Sequence, residues 1–154
     1  MISPDQLAGS PPFSRLGAAH LSLVATTARE VRFPAGATVF TEGQLASGCW
    51  LISSGQVGLS THVPGRGQVV VQTLWPGDLL GWSWLVPPHR WHFTATTSTL
   101  VIAVEFDTAR LRALADADPV FGYPFSLGLF EVVVARLQST RSRVLDLYGN
   151  PRDR

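Results

Sequence analysis

The sequence predicts a mainly β, α+β domain, a β-sheet body framed by helices at both ends, and three observations carry that prediction. The apolar period changes from helical to two near Val31 and back to helical after Asp107, which separates strand from helix. Between these points short apolar runs are cut by glycine turns, the pattern of a sandwich or barrel. The chain has 154 residues, 45% hydrophobic and 15% charged, enough apolar material for one domain, residues 1–154, with a sizeable core.

Residues 1–30 form the N-terminal helical part. Phe13, Leu16, Ala19/His20 and Leu23 recur at three and four residues, one apolar helix face, and Pro11-Pro12 precedes that helix. Residues 31–106 are β. Their runs are Val39-Phe40, Cys49-Trp50-Leu51-Ile52, Val57-Gly58-Leu59, Val69-Val70-Val71, Leu79-Leu80 and Leu100–Val104. Turns such as Ser53-Ser54-Gly55-Gln56 and Pro76-Gly77-Asp78 separate them, with glycine supplying the positive φ that tight corners need. Residues 107–148 return to helix. Thr108–Ala115 packs through Leu111 and Leu114, and Asp118-Pro119 starts a longer helix, since Asp caps and Pro fits the first turn. That helix runs to Tyr148, with Pro124 expected to kink or interrupt it, and residues 149–154 are a tail.

Charge and composition exclude several function classes. The net charge is +1 and all twelve basic residues are scattered arginines, so no global field draws the chain to nucleic acid or anionic lipid. Cys49 is the only cysteine, so no internal disulfide forms, and within its apolar run it reads as a small buried hydrophobe. No stretch approaches the roughly 18 apolar residues of a membrane span, and the N-terminus lacks the basic start and apolar run of a signal peptide. These features favour the cytoplasm. No nucleophile–base spacing, phosphate loop or glycine-bounded carboxylate pair points to an enzyme, and Asp78 belongs to a Gly-Asp turn.

The first β half reads Phe33-x-x-Gly36-x-x-Val39-Phe40-x-x-Gly43-x-x-Ala46-x-x-Cys49-Trp50-Leu51-Ile52-x-x-Gly55-x-Val57. It closely resembles the opening signature of the cyclic-nucleotide-binding family, which includes bacterial catabolite activator (Crp/Fnr-like) proteins and protein kinase A regulatory subunits. Leu74-x-x-Gly77-Asp78-x-Leu80-Gly81 resembles the family's strand leading into its phosphate-binding cassette. The resemblance spans roughly residues 13–148. It implies a β-roll of jelly-roll type, with the ligand pocket inside the roll, capped by a short helix after Gly81. It also implies a long C-terminal helix that pairs with its twin.

The cassette departs from the family. Nucleotide-binding members carry a Glu after the cassette glycine, for the ribose hydroxyl, and an Arg followed by Ser or Thr for the cyclic phosphate. Here Trp82 follows Gly81, Trp91 and His92 stand at the Arg and Ser/Thr positions, and Arg90 lies one residue early. Charged hydrogen bonds contribute roughly 1.5–3 kcal/mol each, so losing both weakens binding by about 10²–10⁴-fold. Weak or absent cAMP and cGMP binding is therefore expected, and no cofactor or metal is assigned. Gly81, Trp82, Ser83, Arg90, Trp91 and His92 form the candidate pocket. Either they build an aromatic site for another planar or apolar ligand, with Arg90 or His92 as polar anchor, or the tryptophans plug the vacated space. The segment is similar to ones in short bacterial proteins of this family. His89 and His92, three apart, are weak evidence for a metal or haem; one surface and one hydrogen-bonded histidine is the plainer reading.

Phe130, Val134, Leu137, Arg141, Val144 and Tyr148 step by 4, 3, 4, 3 and 4, a heptad seam, and the resemblance implies that it forms a parallel homodimer. Val133 and Leu145 are expected to pack back on the β-roll, with Glu131, Arg136, Arg143 and Asp146 flanking the seam. Family transcription factors continue past this helix into a helix-turn-helix; only Asn150–Arg154 follow here, so direct DNA binding is not expected. The expected function is a non-catalytic regulatory or ligand-sensing module acting through a protein partner. The alternatives are a scaffold with a tryptophan-filled pocket, or a divergent cyclic-nucleotide binder using Arg90.

Overall fold

The computed structural model describes residues 1–149. Two short helices open the chain, α1 (Asp5–Ala8) and α2 (Ala18–Thr26). The helix expected to carry Phe13, Leu16 and Leu23 does not form as one piece. Phe13 and Leu16 are buried from turns before α2, and Leu23 is 44% exposed. Gly9, Pro11, Pro12 and Gly17 punctuate this stretch; proline lacks the N–H a helix needs and glycine resists ordering, so turns meet the apolar spacing instead.

Eight strands follow: β1 (Ala28–Phe33), β2 (Thr38–Phe40), β3 (Trp50–Ser54), β4 (Val57–Val63), β5 (Gly67–Leu74), β6 (Leu79–Leu80), β7 (Thr94–Thr97) and β8 (Val101–Phe106). They form two four-stranded sheets, ordered β1-β8-β3-β6 and β2-β7-β4-β5, with antiparallel pairing throughout. This is the β-roll. β1 starts earlier than Val31 because Ala28 already pairs with Phe106 in register. β7 was not anticipated. Its sequence, Thr-Ala-Thr-Thr, has little apolar signal, yet it alternates half-buried with buried residues and fills the space between β2 and β4. Threonine suits such a half-buried pleat.

Strand alternation divides the core in two. Trp50, Ile52, Val57, Leu59, Leu74, Leu80, Val101 and Ala103 point into the roll. Leu51, Leu79, Val104 and Phe106 point the other way, onto the helices. There Phe13 lies 5.0 Å from Phe106 and 6.0 Å from Phe125, centroid to centroid.

After β8 come α3 (Thr108–Ala117) and α4 (Pro119–Gly149). Asp118 caps its helix as expected, and Asp107 caps α3 as well. The Arg110 amide donates to Asp107 Oδ1 at 3.1 Å and the Val120 amide to Asp118 Oδ1 at 3.0 Å. Pro124 lies inside α4 without interrupting it; so near the helix start, only the Val120 carbonyl is left without its usual donor. Gly128 is where α4 crosses the N-terminal segment, since a Cβ there would stand 2.2 Å from the Pro12 carbonyl oxygen.

Phe121, Phe125 and Leu129 anchor α4 in the core. At about 100° per residue that face continues through Val132, Arg136 and Arg143, not through Val133 and Leu145, which are 36% and 57% exposed. The expectation that Val133 and Leu145 pack on the roll is thus corrected. Arg136 donates instead to the Leu79 carbonyl and Arg143 to the Val71 carbonyl. Glu131 pairs with Arg15. These three residues therefore do not flank the seam as free charges. α4 is also long and apolar enough to cross a membrane by length and composition, with 28% of its most apolar window buried. Counting consecutive apolar residues hid this, because Gly122, Pro124, Ser126 and Gly128 break the run.

Candidate functional site

β6 ends at Leu80 and the chain turns sharply at Gly81, where φ is +94°. A Cβ at this position would lie 2.8 Å from the Gly48 carbonyl oxygen and 3.0 Å from the Trp91 ring, so both the backbone angle and the space demand glycine. The expected capping helix does not follow. The Leu85 amide donates to the Trp82 carbonyl at 3.1 Å, making a turn. Pro87 and Pro88 then end any helix, since a residue before proline is pushed out of the α region.

The tryptophans of this segment go to three places. Trp91 is 5% exposed, inside the roll, stacked on Phe40 at 3.8 Å and 11° and tilted against Trp50 at 6.2 Å. Trp84 turns outward into the helix-side core, 6.3 Å from Phe125, and its Nε1 donates to the Gly81 carbonyl at 3.2 Å. Trp82 is half-buried beneath the Arg136 guanidinium, 4.2 Å from its ring centroid.

Gly81, Trp82, Ser83, Trp91 and His92 come together around one cavity, with Phe40, Leu59, Leu80, Phe93 and Arg136. Its volume is 30 Å³, far below the roughly 300–1,000 Å³ of small-molecule pockets. Arg90 is not part of it. Arg90 is exposed, donates to the Gly43 carbonyl at 2.9 Å and bridges Leu45. That places its guanidinium on the strand-connecting loop, so the reading of Arg90 as the polar anchor is corrected. His92 is exposed at the cavity wall.

Phe40, Leu59, Leu80, Phe93 and Arg136 line the cavity without having been candidates, and Arg136 is the charged one among them. Its signal was an arginine on the same helix face as Leu129 and Val132. Burial pulls its guanidinium down to about 10, with Asp78 opposing that shift. His89 Nδ1 lies 3.0 Å from the Trp84 carbonyl oxygen, and His92 is exposed. Cys49, just before β3, is 1% exposed and burial pushes its thiol up to about 12. Among the described residues no three His, Cys, Asp or Glu side chains converge as metal ligands. Asp78 holds its own turn, accepting from the Trp75 amide at 2.8 Å.

Comparison with known proteins fits this geometry. The family model "cyclic nucleotide-binding domain" matches residues 30–118. A candidate cyclic nucleotide-binding protein from Geobacter metallireducens GS-15 has a TM-score of 0.79 and 28% identity, covering 89% of this chain and 99% of that one. A cyclic nucleotide-binding domain from Methylobacillus flagellatus KT shares the fold at TM-score 0.80 and 16% identity, over 92% of this chain and 80% of that one. The catabolite activator protein of Thermus thermophilus shares it at TM-score 0.69 and 22% identity, over 91% and 63%. A search of curated proteins finds no match. The β-roll, its glycine corners and a family match over more than half the chain agree: this chain belongs to the cyclic nucleotide-binding domain family, a family of regulatory modules.

Proposed function

We propose that this protein is a homodimeric, non-catalytic regulatory or assembly module of the cytoplasm, in which the roll interior is closed to cyclic nucleotides by the protein's own Trp91. One observation carries this reading: Trp91 stacks on Phe40 at 3.8 Å and only 30 Å³ remains beside it. A cyclic nucleotide would have to displace a buried indole, and it would find Trp82 and Trp91 in place of a carboxylate and a guanidinium. Between the two readings of the cassette, a filled pocket is therefore favoured over an open aromatic site.

The seam supports pairing. Phe130, Leu137, Val144 and Tyr148 are 64%, 67%, 46% and 76% exposed along one side of α4, with Val134 half-buried and Arg141 exposed among them. A second copy covers such a stripe with the same residues, the commonest arrangement in soluble oligomers. Val133 and Leu147, 36% and 75% exposed outside the seam, suit contact with a protein partner. Native mass spectrometry of the protein purified from its own host tests the proposal. Two chains without a bound nucleotide are expected; a monomer, or a stoichiometric cyclic-nucleotide adduct, overturns it.

A further inference from the structure

A groove of 730 Å³ lies outside the roll, between α4 and the β5–β6 turn; Trp75, Asp78, Glu131, Arg136, Ser139 and Arg143 are among its lining residues. It is separate from the cassette cavity, which it meets only at Arg136. Its charged groups are not equally engaged. Glu131 is paired with Arg15, and Asp78 accepts from the Trp75 amide. Arg136 and Arg143 form no ion pair among the described residues; their hydrogen bonds run to the neutral Leu79 and Val71 carbonyls. A guanidinium carries five N–H donors, and each of these two spends one on a carbonyl. Asp78 offsets part of the Arg136 charge, so the groove keeps a net positive charge centred on Arg143 and is donor-rich, beside Trp75, which is 53% exposed.

The geometry points to a ligand site here, for a small anionic molecule whose carboxylate or phosphate head meets Arg136 and Arg143 and whose planar body lies against Trp75. The two arginines stand seven residues apart, two helical turns or about 10 Å along α4, with Ser139 between them. Guanidinium forks match both carboxylate and phosphate oxygens. The volume falls within the range of small-molecule pockets. At about 100° per residue this face of α4 is turned roughly 150° from the Phe130–Tyr148 seam, so dimerisation leaves it open. The inference does not depend on what the roll interior binds.

The test is a heteronuclear NMR titration of the intact protein with phenyl phosphate, benzoate and uncharged benzyl alcohol. Saturable shifts are expected at the Trp75 indole N–H and the Arg143 Nε–H with at least one of the two anions, while benzyl alcohol leaves them in place and the Trp91 indole does not move. The anion that binds identifies the head group. Arg143→Ala and Arg136→Gln should each weaken binding roughly tenfold or more, as loss of a charged hydrogen bond does. Arg143 is exposed, so Arg143→Ala decides the matter alone if Arg136→Gln does not fold. No saturable shift with either anion, an equal response to benzyl alcohol, an unchanged affinity in Arg143→Ala, or shifts confined to Trp91 would each overturn the inference.

Discussion

Replacing Trp91 by Ala should open the roll and cost a large share of the protein's stability. The indole is 5% exposed, lies 3.8 Å from Phe40 and 6.2 Å from Trp50, and borders a space of only 30 Å³. Deleting a buried aromatic removes its transfer free energy and leaves a cavity, at a cost of about 3–5 kcal/mol for Trp→Ala. For a chain of this length about 1 kcal/mol moves Tm by roughly 2–4 °C, so a drop of about 6 °C or more is expected. Lining atoms from Phe40, Leu59 and Trp50 make the new cavity apolar, and apolar cavities stay dry and accept apolar guests. Denaturant unfolding at fixed protein concentration measures the loss. Added indole should then restore part of the stability of Trp91→Ala and none of the wild type's. A loss below about 1 kcal/mol, with no rescue by indole, would refute the idea that Trp91 is what fills the roll.

Val134→Asp with Leu137→Asp places two carboxylates per chain in an apolar seam where each large side chain contributes roughly 1.5–3 kcal/mol; sedimentation at micromolar concentration should show a dimer for the wild type and a monomer or unfolded chain for the double variant. Gly81→Ala should destabilise by more than about 1 kcal/mol, because φ is +94° and the Gly48 carbonyl stands 2.8 Å from the new Cβ; a thermal melt unchanged from wild type would contradict it. Cys49 should resist a thiol reagent until the protein unfolds. Its native pKa, raised from 9.0 to about 12, exceeds the unfolded value, so the stability it contributes is intact below pH 9 and is lost as pH rises toward 12. Denaturation midpoints of wild type and Cys49→Ala across that interval check the sign.

The β-roll was legible because its corners are. Gly36, Gly43, Gly55 and Gly77 all adopt positive φ, the one backbone state that singles out glycine from sequence, and apolar runs between them fix the strands. β7 was not legible, since threonines carry half-burial without hydrophobicity. The N-terminal turns mimicked a helix because a three- and four-residue apolar spacing does not reveal whether prolines let a helix form. At the site, sequence placed five of the six candidate residues around one cavity but misplaced Arg90. Position in the chain put it beside Trp91, whereas its backbone bridges Leu45 and its guanidinium reaches the Gly43 carbonyl, away from the cavity that Trp91 lines. Arg136 was missed for the opposite reason: it lies on a distant helix, and no local pattern joins it to Trp82. The same local view assigned Val133 and Leu145 to the roll, when only the register set by Leu129 decides which side of α4 faces inward.

Calorimetric titration of the wild-type protein with cAMP and cGMP tests most directly whether Trp91 closes the roll interior to cyclic nucleotides. With Trp91 in place, no saturable heat is expected at concentrations where members bearing the cassette Glu and Arg would be filled, given the expected loss of about 10²–10⁴-fold in affinity. Tight binding of one cyclic nucleotide per chain, quenching the Trp91 fluorescence and abolished in a variant unable to open the Trp91–Phe40 stack, would contradict it.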